Sequence, residues 1–446
     1  MPAKGNVMKL QLQRTNKKEF FYLEVCHYYK SLILEQKLLP GSKMPSLRKC
    51  AQELKLSRTT IESAYLQLAA EGYIISRAKS GYYVTDIAAH PKLLSPPAST
   101  PIQRLRYNFA SSGVDRESFR FDLWQRYLKS ALRQDERLLS YGEPQGESDF
   151  RETLAAYIRE RRNILCTADD IVVGAGVQSL LHILCPLLKE KKTVSFPTPS
   201  FIQGSTVFAD HGFEIHYRCK DCGVIYVSPA HMTKWGEIMP VSRRLELIRY
   251  AQEHGSIILE DDFENEFVYL QKPTPSLYSL AGGQDVVYIG SFSRLLLPSI
   301  RISFMVLPPG LLAAYKEKAA CYNQTASKAE QIALCQFIRD GHLAAQTRKL
   351  RRLYSSKLHQ LLQEVERVFG TEVPIKIGAA GTSLALTLST KLSKDALSRK
   401  ARAQGLGLQI QKEGPEGITV ILSCSSMKTE DFLPALTLLR KIVTEP

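Results

Sequence analysis

The sequence predicts an α/β protein in two parts: a small basic module of three helices and a hairpin, then a large body of alternating strands and helices. Three observations carry that expectation. At 446 residues the chain exceeds what one ordinary core supports. Its net charge of +15 is unevenly spread, since residues 1–86 hold 14 Lys and Arg against 7 Asp and Glu. From about Tyr107 onward, short apolar runs alternate with segments of helical periodicity.

A hydrophobic content of 44% and a charged content of 23% are those of an ordinary folded protein, which excludes disordered and collagenous classes. No apolar run reaches the length that spans a bilayer, and the first residues lack the apolar core of a signal peptide, so no membrane partner and a cytoplasmic location are expected. The nine cysteines follow no regular frame, as in a reducing compartment. Cys219 and Cys222 form one Cys-x-x-Cys, with His216 before and His231 after. A second pair is missing and Lys220-Asp221 reads as a hairpin tip, so no metal site is expected.

Tyr22, Val25, Tyr29, Leu32 and Ile33 lie on one face of a first helix, which Leu39-Pro40-Gly41 is expected to end. Ser46 caps a short helix through Leu54, and Ser57 caps a third whose apolar face is Ile61, Ala64, Tyr65 and Leu68. With a tight turn at Lys55-Leu56, this is a helix-turn-helix, in which the first turn of the last helix, Arg58, Thr59 and Thr60, reaches base edges. Tyr73 to Arg77 and Gly81 to Val84 then make a small wing with Lys79 at its tip. The segments M-P-S-L-R (44–48), L-S-R-T-T-I (56–61), A-Y-L-Q-L-A-A-E-G-Y (64–73) and S-G-Y-Y-V (80–84) resemble the winged helix-turn-helix of the GntR family. That resemblance implies double-stranded DNA as partner, met by Ser46, Arg48, Ser57, Arg58, Thr59, Thr60, Lys79 and Gly81.

The module is expected to span residues 1–86. Residues 87–106, with Pro91, Pro96, Pro97 and Pro101, read as a semi-stiff tether. The remainder, 107–446, reads as a mostly parallel sheet flanked by helices, followed from about residue 325 by a small α+β subdomain. Within it, Ile171 to Gly174 is a strand that runs through Gly174-Ala-Gly176 into a helix, an arrangement that offers backbone N–H groups to an anion. Val286 to Ile289 is a buried strand that Gly290 is expected to end. The basic run of the long helix Thr347 to Phe369 reads as a solvated face.

Y-G-E-P-Q-G (141–146), V-G-A-G-V-Q (173–178), P-T-P-S-F (197–201), S-P-A-H (228–231), I-M-P-V-S-R-R (238–244), L-E-D-D-F (259–263) and Y-I-G-S-F-S-R (288–294) resemble the landmarks of an aminotransferase class I, fold-type I protein. Joined to a GntR-type module, this is the layout of the MocR-type (GabR-like) transcriptional regulators, and it implies a doubly wound large domain and a head-to-tail homodimer. Carried over residue by residue, Gly176, Val177 and Gln178 face the phosphate of pyridoxal phosphate, Phe201 stacks on its ring, Asp261 pairs with its pyridine nitrogen, and Arg301 supports the site. Ser291, Ser293 and His231 complete the set.

The departures from that pattern are chemical. Where the family has the lysine of the Schiff base, this chain has Arg294, whose guanidinium stays protonated and cannot condense with an aldehyde. The family's tyrosine beside the cofactor's phenolic oxygen is Phe263, which has no donor. The arginine expected to grip a substrate carboxylate is missing from Leu422 to Met427, and the segment around Asp221 to Val227 is shorter than the family's. A DNA-binding regulator with a degenerate sensing domain is therefore expected, not an enzyme, with no covalent cofactor and pyridoxal phosphate only as a weak non-covalent ligand. Two rivals stand beside it: a working aminotransferase that carries a DNA module, and a regulator that holds pyridoxal phosphate or another anion without a covalent bond.

Overall fold

A computed structural model of the chain describes residues 21–86, 105–110, 113–115, 117–231, 237–267, 274–414 and 417–444. The proline-containing tether expected at 87–106 lies almost wholly outside the described residues. The chain divides into two compact units, residues 1–103 and 104–446.

The first unit holds α1 (Phe21–Leu34), α2 (Leu47–Leu54), α3 (Arg58–Ala70) and a hairpin of β1 (Ile74–Arg77) and β2 (Gly81–Val84). Ser46 and Ser57 do cap their helices, accepting from the N–H of Lys49 (3.2 Å) and of Thr60 (3.1 Å). Lys55 turns the chain between α2 and α3 with φ 53°. α1 stops at Leu34, short of the expected Leu39-Pro40, because Gln36 adopts φ 57° and the N–H groups of Lys37 and Leu38 fold back onto the carbonyl of Leu32. Val25, Tyr29, Ile33, Ile61, Tyr65, Leu68 and Val84 form the core. Edge-on ring contacts Tyr29–Tyr65 and Tyr65–Tyr82 tie helices to hairpin.

The second unit opens with β3 (Tyr107–Asn108), α4 (Phe121–Leu132), α5 (Asp135–Leu138) and α6 (Ser148–Arg162). Alternation follows: β4 (Ile171–Gly174), α7 (Val177–Leu187), β5 (Thr193–Phe196), α8 (Ile202–Asp210), β6 (Glu214–Tyr217), β7 (Val224–Val227), α9 (Val241–His254), β8 (Ile257–Asp261), α10 (Leu277–Leu280), β9 (Val286–Ser291) and β10 (Ser303–Val306). These seven larger strands, β4 to β10, form one sheet in the order β4-β10-β9-β8-β7-β5-β6, parallel except for β10. Strand residues alternate between two apolar layers. Ile257 and Leu259 face α7, α8 and α11 (Pro309–Lys318), whereas Ile258 faces the side of α6 and α9.

Gly290 does not end β9 as expected. It lies inside the strand, where a Cβ would meet the ring of Phe304 on β10 at 2.5 Å, so the glycine serves close packing and not a turn.

α12 (Lys328–Arg339) and the long α13 (His342–Phe369) lead to β11 (Ile375–Ile377), β12 (Ser383–Leu388), α14 (Lys394–Ala403), β13 (Leu406–Gly407), β14 (Gln409–Gly414), β15 (Gly417–Ser423) and α15 (Phe432–Thr444). The small subdomain begins later than the expected residue 325. Ile332, Leu334 and Phe337 of α12 and Leu350 and Tyr354 of α13 belong to the large core, and only from Leu358 does α13 face the small one. Tyr107 and Phe109 also join that small core, through the parallel pairing of β3 with β13.

Candidate functional site

In the first unit, α3 presents Arg58 and Thr59 to solvent at its first turn. Ser57 is the hub of that turn, since its hydroxyl also lies 2.8 Å from Thr59 Oγ1 and 2.7 Å from Thr60 Oγ1. Arg48 is exposed on the first turn of α2, and Lys79 at the wing tip has φ 58°, with Gly81 at φ 102° beginning β2. Two further cations, not singled out by the sequence, lie at the wing: Arg77 and Lys43 are over the Tyr83 ring, 4.5 and 5.8 Å from its centroid. Lys43 reaches it through an isolated bridge to Tyr83, a pairing that sequence periodicity does not reveal.

In the second unit, the expected ligand residues gather where the parallel strands end. β4 is antiparallel to β10, as is β9, so β4, β5, β7, β8 and β9 all deliver their C-terminal ends to one edge of the sheet, the usual place for a site in an open α/β sheet. From β4, Gly174-Ala175-Gly176 turns into α7, with Val177 and Gln178 in its first turn. Gly176 has φ 93°, and a Cβ there would lie 2.3 Å from Nη2 of Arg301, so this glycine lets the guanidinium lie against the backbone. Arg301 itself is exposed and donates to the carbonyl of Ala175 at 3.5 Å. At the end of β9, the hydroxyls of Ser291 and Ser293 are 3.3 Å apart.

Alternation at the end of β8 sends successive acids to opposite faces. Asp261 accepts from the Tyr226 hydroxyl at 2.5 Å. Burial pushes its carboxyl up to about 6, although the hydrogen bond from Tyr226 pulls the other way. Phe201 packs 5.3 Å from the Tyr226 ring and 6.4 Å from Phe196. Asp262 instead forms a two-pronged ion pair with buried Arg162 (2.7 and 3.0 Å) and accepts from Tyr288 (2.7 Å), which anchors the strand end from behind.

Arg294 is not the unopposed cation that the sequence suggests. Its Nε and Nη2 both contact Glu264, a side chain 6% exposed, and its Nη1 donates to the carbonyl of Gly113 at 3.4 Å. His231 approaches the same carboxylate from the other side at 3.3 Å and packs 5.5 Å from the ring of Phe263. Burial alone would raise the Glu264 carboxyl, but the charge of Arg294, with His231, holds it down at about 2. Glu264 reaches this position with φ 57°, a backbone state that non-glycine residues seldom adopt. The sequence offered one signal for it, the acid-rich run Glu260-Asp-Asp-Phe-Glu-Asn-Glu266, in which every second or third acid could have been the partner.

A second buried cation lies nearby. Lys357, expected on a solvated face, is only 4% exposed because α13 turns it inward between the two cores. It pairs with Asp115 at 2.6 Å and donates to the carbonyl of Met427. It therefore meets the segment Leu422 to Met427 where the resemblance expects an arginine, already neutralised by its own acid. Burial pushes the thiol of Cys424 in that segment up to about 12, although the charges of Lys357 and Arg294 pull the other way. Each buried cation of the site thus has an internal carboxylate, and the exposed Arg301 is the cation left facing solvent among these three. Among the described residues no group of His, Cys, Asp and Glu could hold a metal, and Lys220-Asp221 is not the expected hairpin tip: β6 and β7 both run parallel to β5 on its two sides, so Cys219 and Cys222 lie in a segment that crosses between them.

A winged helix-turn-helix and an aminotransferase-type α/β body define the class of protein. Residues 21–84 match the gntR family of bacterial regulatory proteins, and residues 117–223 match aminotransferase class I and II. The HTH-type transcriptional regulator YdeL of Bacillus subtilis is 32% identical over 86% of this chain and 88% of its own. The probable rhizopine catabolism regulatory protein MocR of Rhizobium meliloti is 28% identical over 84% and 83%. Solved structures share the fold of the second unit. An archaeal alanine:glyoxylate aminotransferase matches with TM-score 0.67 at 18% identity (77% of this chain, 91% of that one), and Pyrococcus horikoshii kynurenine aminotransferase with 0.64 at 19% (80% and 96%). The chain belongs to the HTH-type transcriptional regulators that join a gntR-family module to an aminotransferase-like domain. Among its described residues no helix is long and apolar enough to cross a membrane.

Proposed function

We propose that this transcriptional regulator has an aminotransferase-like domain that no longer binds a cofactor covalently and does not catalyse transamination. The ion pair of Arg294 with Glu264 carries the reading. Position 294 is where the resemblance places the amine that condenses with pyridoxal phosphate, and a guanidinium held by a buried carboxylate is neither a nucleophile nor free to become one. The residues present do not fit the covalent cofactor. Phe263 supplies no hydroxyl, the Asp261 carboxylate is engaged by Tyr226, and Lys357 is committed to Asp115. What the site retains suits a non-covalent anion: exposed Arg301, the first turn of α7, and the Ser291 and Ser293 hydroxyls. The first unit binds double-stranded DNA through α3 and the wing, and the second pairs head-to-tail into a homodimer that presents two such modules.

Absorption spectra of the full chain, titrated with pyridoxal phosphate, test the reading. The expected result is the spectrum of the free aldehyde with no protein-dependent visible band, and no transamination of any amino acid. R294K alone is expected to give the same result, because Glu264 holds the new amine protonated. A protein-dependent band together with turnover in the unmodified chain would sink the proposal.

A further inference from the structure

β6 and β7 lie on either side of β5 and both run parallel to it. Such a connection ordinarily takes about a dozen residues or more, generally with a helix that covers the sheet. Here it is made by residues 218–223 alone. The crossing segment is laid directly on β5: Arg218 N donates to the Phe196 carbonyl (3.0 Å), Cys219 N to Ser195 Oγ (3.0 Å) and Gly223 N to Thr193 Oγ1 (2.8 Å). An extended strip is narrower than a helix. Between it and α9, among the described residues, a cavity of about 400 Å3 lies against β5 and β7, within the range of small-molecule sites.

The lining decides what could enter. Ile225 and Val227 of β7 form the floor, and Met239 and Leu247 the α9 side. The rim holds Arg218, Lys220 and Arg243, all exposed, and among the described residues no carboxylate lines the cavity. Two acids beside the rim are engaged: Glu246 pairs with Arg243 at 2.6 Å, and Asp221 accepts from Tyr250, whose ring lies 5.1 Å below Lys220. Arg218 uses its Nε on the Pro197 carbonyl (3.2 Å), which leaves the end of the guanidinium at the mouth.

We propose that this cavity is a binding site for a small amphipathic organic carboxylate, its apolar body against Ile225, Val227, Met239 and Leu247 and its charged head at Arg218 and Arg243. Phe196 and Tyr226, which also pack on Phe201, belong to the cavity wall, but none of Glu264, Ser291, Ser293, Arg294 and Arg301 lines it, and the proposal does not depend on the cofactor reading. Apolar burial supplies most of the affinity, and the exposed arginines select the anion over its neutral analogue.

The test uses the full chain with the fluorescent anion 8-anilinonaphthalene-1-sulfonate as probe, competed by decanoate and by neutral decanol. Saturable binding displaced better by decanoate than by decanol is expected. L247W, which places an indole in the mouth from the half-buried position on α9, is expected to abolish it. R218A/R243A changes two exposed residues and is expected to weaken decanoate roughly fivefold, with decanol little changed. A probe signal that never saturates, or binding that survives L247W unchanged, overturns the site. Equal displacement by decanoate and decanol, or no effect of R218A/R243A on decanoate, overturns the choice of a carboxylate.

Discussion

At the scale of single residues, Glu264 governs the altered centre. Removing one member of a buried ion pair costs about 3–5 kcal/mol, because the remaining charge loses its partner without regaining water. Glu264→Gln is therefore expected to destabilise the second unit by about that amount, read by urea or thermal unfolding. The pH dependence has a definite sign. The carboxyl sits at about 2 in the folded chain against an ordinary 4.5, so its contribution is fully present above 4.5 and is lost as pH falls toward 2. Over that window the variant should lose less stability than the wild type. An unchanged midpoint at pH 7 would mean that the pair contributes nothing, and Arg294 would then be as free as the sequence alone suggests.

At the scale of elements, α3 and the wing make distinct predictions because one reads bases and the other meets the backbone. Arg58→Ala is expected to weaken a cognate site by roughly 1–3 kcal/mol and to relax base preference there, measured by fluorescence anisotropy on a set of point-substituted sites. Lys79→Ala should weaken all duplexes alike and flatten the salt dependence. If both variants bind as the wild type does, the module does not bind DNA in this way. These elements were legible in advance because their signals are local. Ser46 and Ser57 announce helix starts within three residues, and the apolar spacing of Ile61, Ala64, Tyr65 and Leu68 marks one face. What was misread depends on partners far along the chain. Gly290 signals a strand end until Phe304 is seen packed on it, and Lys357 belongs to a basic helix face until Asp115 and Met427 close around it. Glu264 escaped for the same reason: its role needs a left-handed backbone and two partners, Arg294 and His231, that sequence order does not bring together.

At the scale of the whole molecule, the alternation of strand and helix and the order of the landmark segments were enough to foresee a doubly wound body. They were not enough to place the start of the small subdomain. α12 is as amphipathic as a helix of either body, and only its packing on α4 and α6 assigns it to the large core. A homodimer with two modules on tethers should prefer paired half-sites over one, since the second contact is then intramolecular. Duplexes carrying one and two half-sites, compared at equal salt, check this. Equal affinity, or a monomer by light scattering, would count against the dimer.

The loss of covalent cofactor chemistry in a DNA-binding regulator is tested most directly by intact mass. The full chain is incubated with excess pyridoxal phosphate, reduced with borohydride and compared with an untreated sample that binds its duplex. The ion pair of Arg294 with Glu264 predicts an unchanged mass. A gain of one pyridoxyl group at a single lysine, accompanied by turnover of an amino acid, would contradict it.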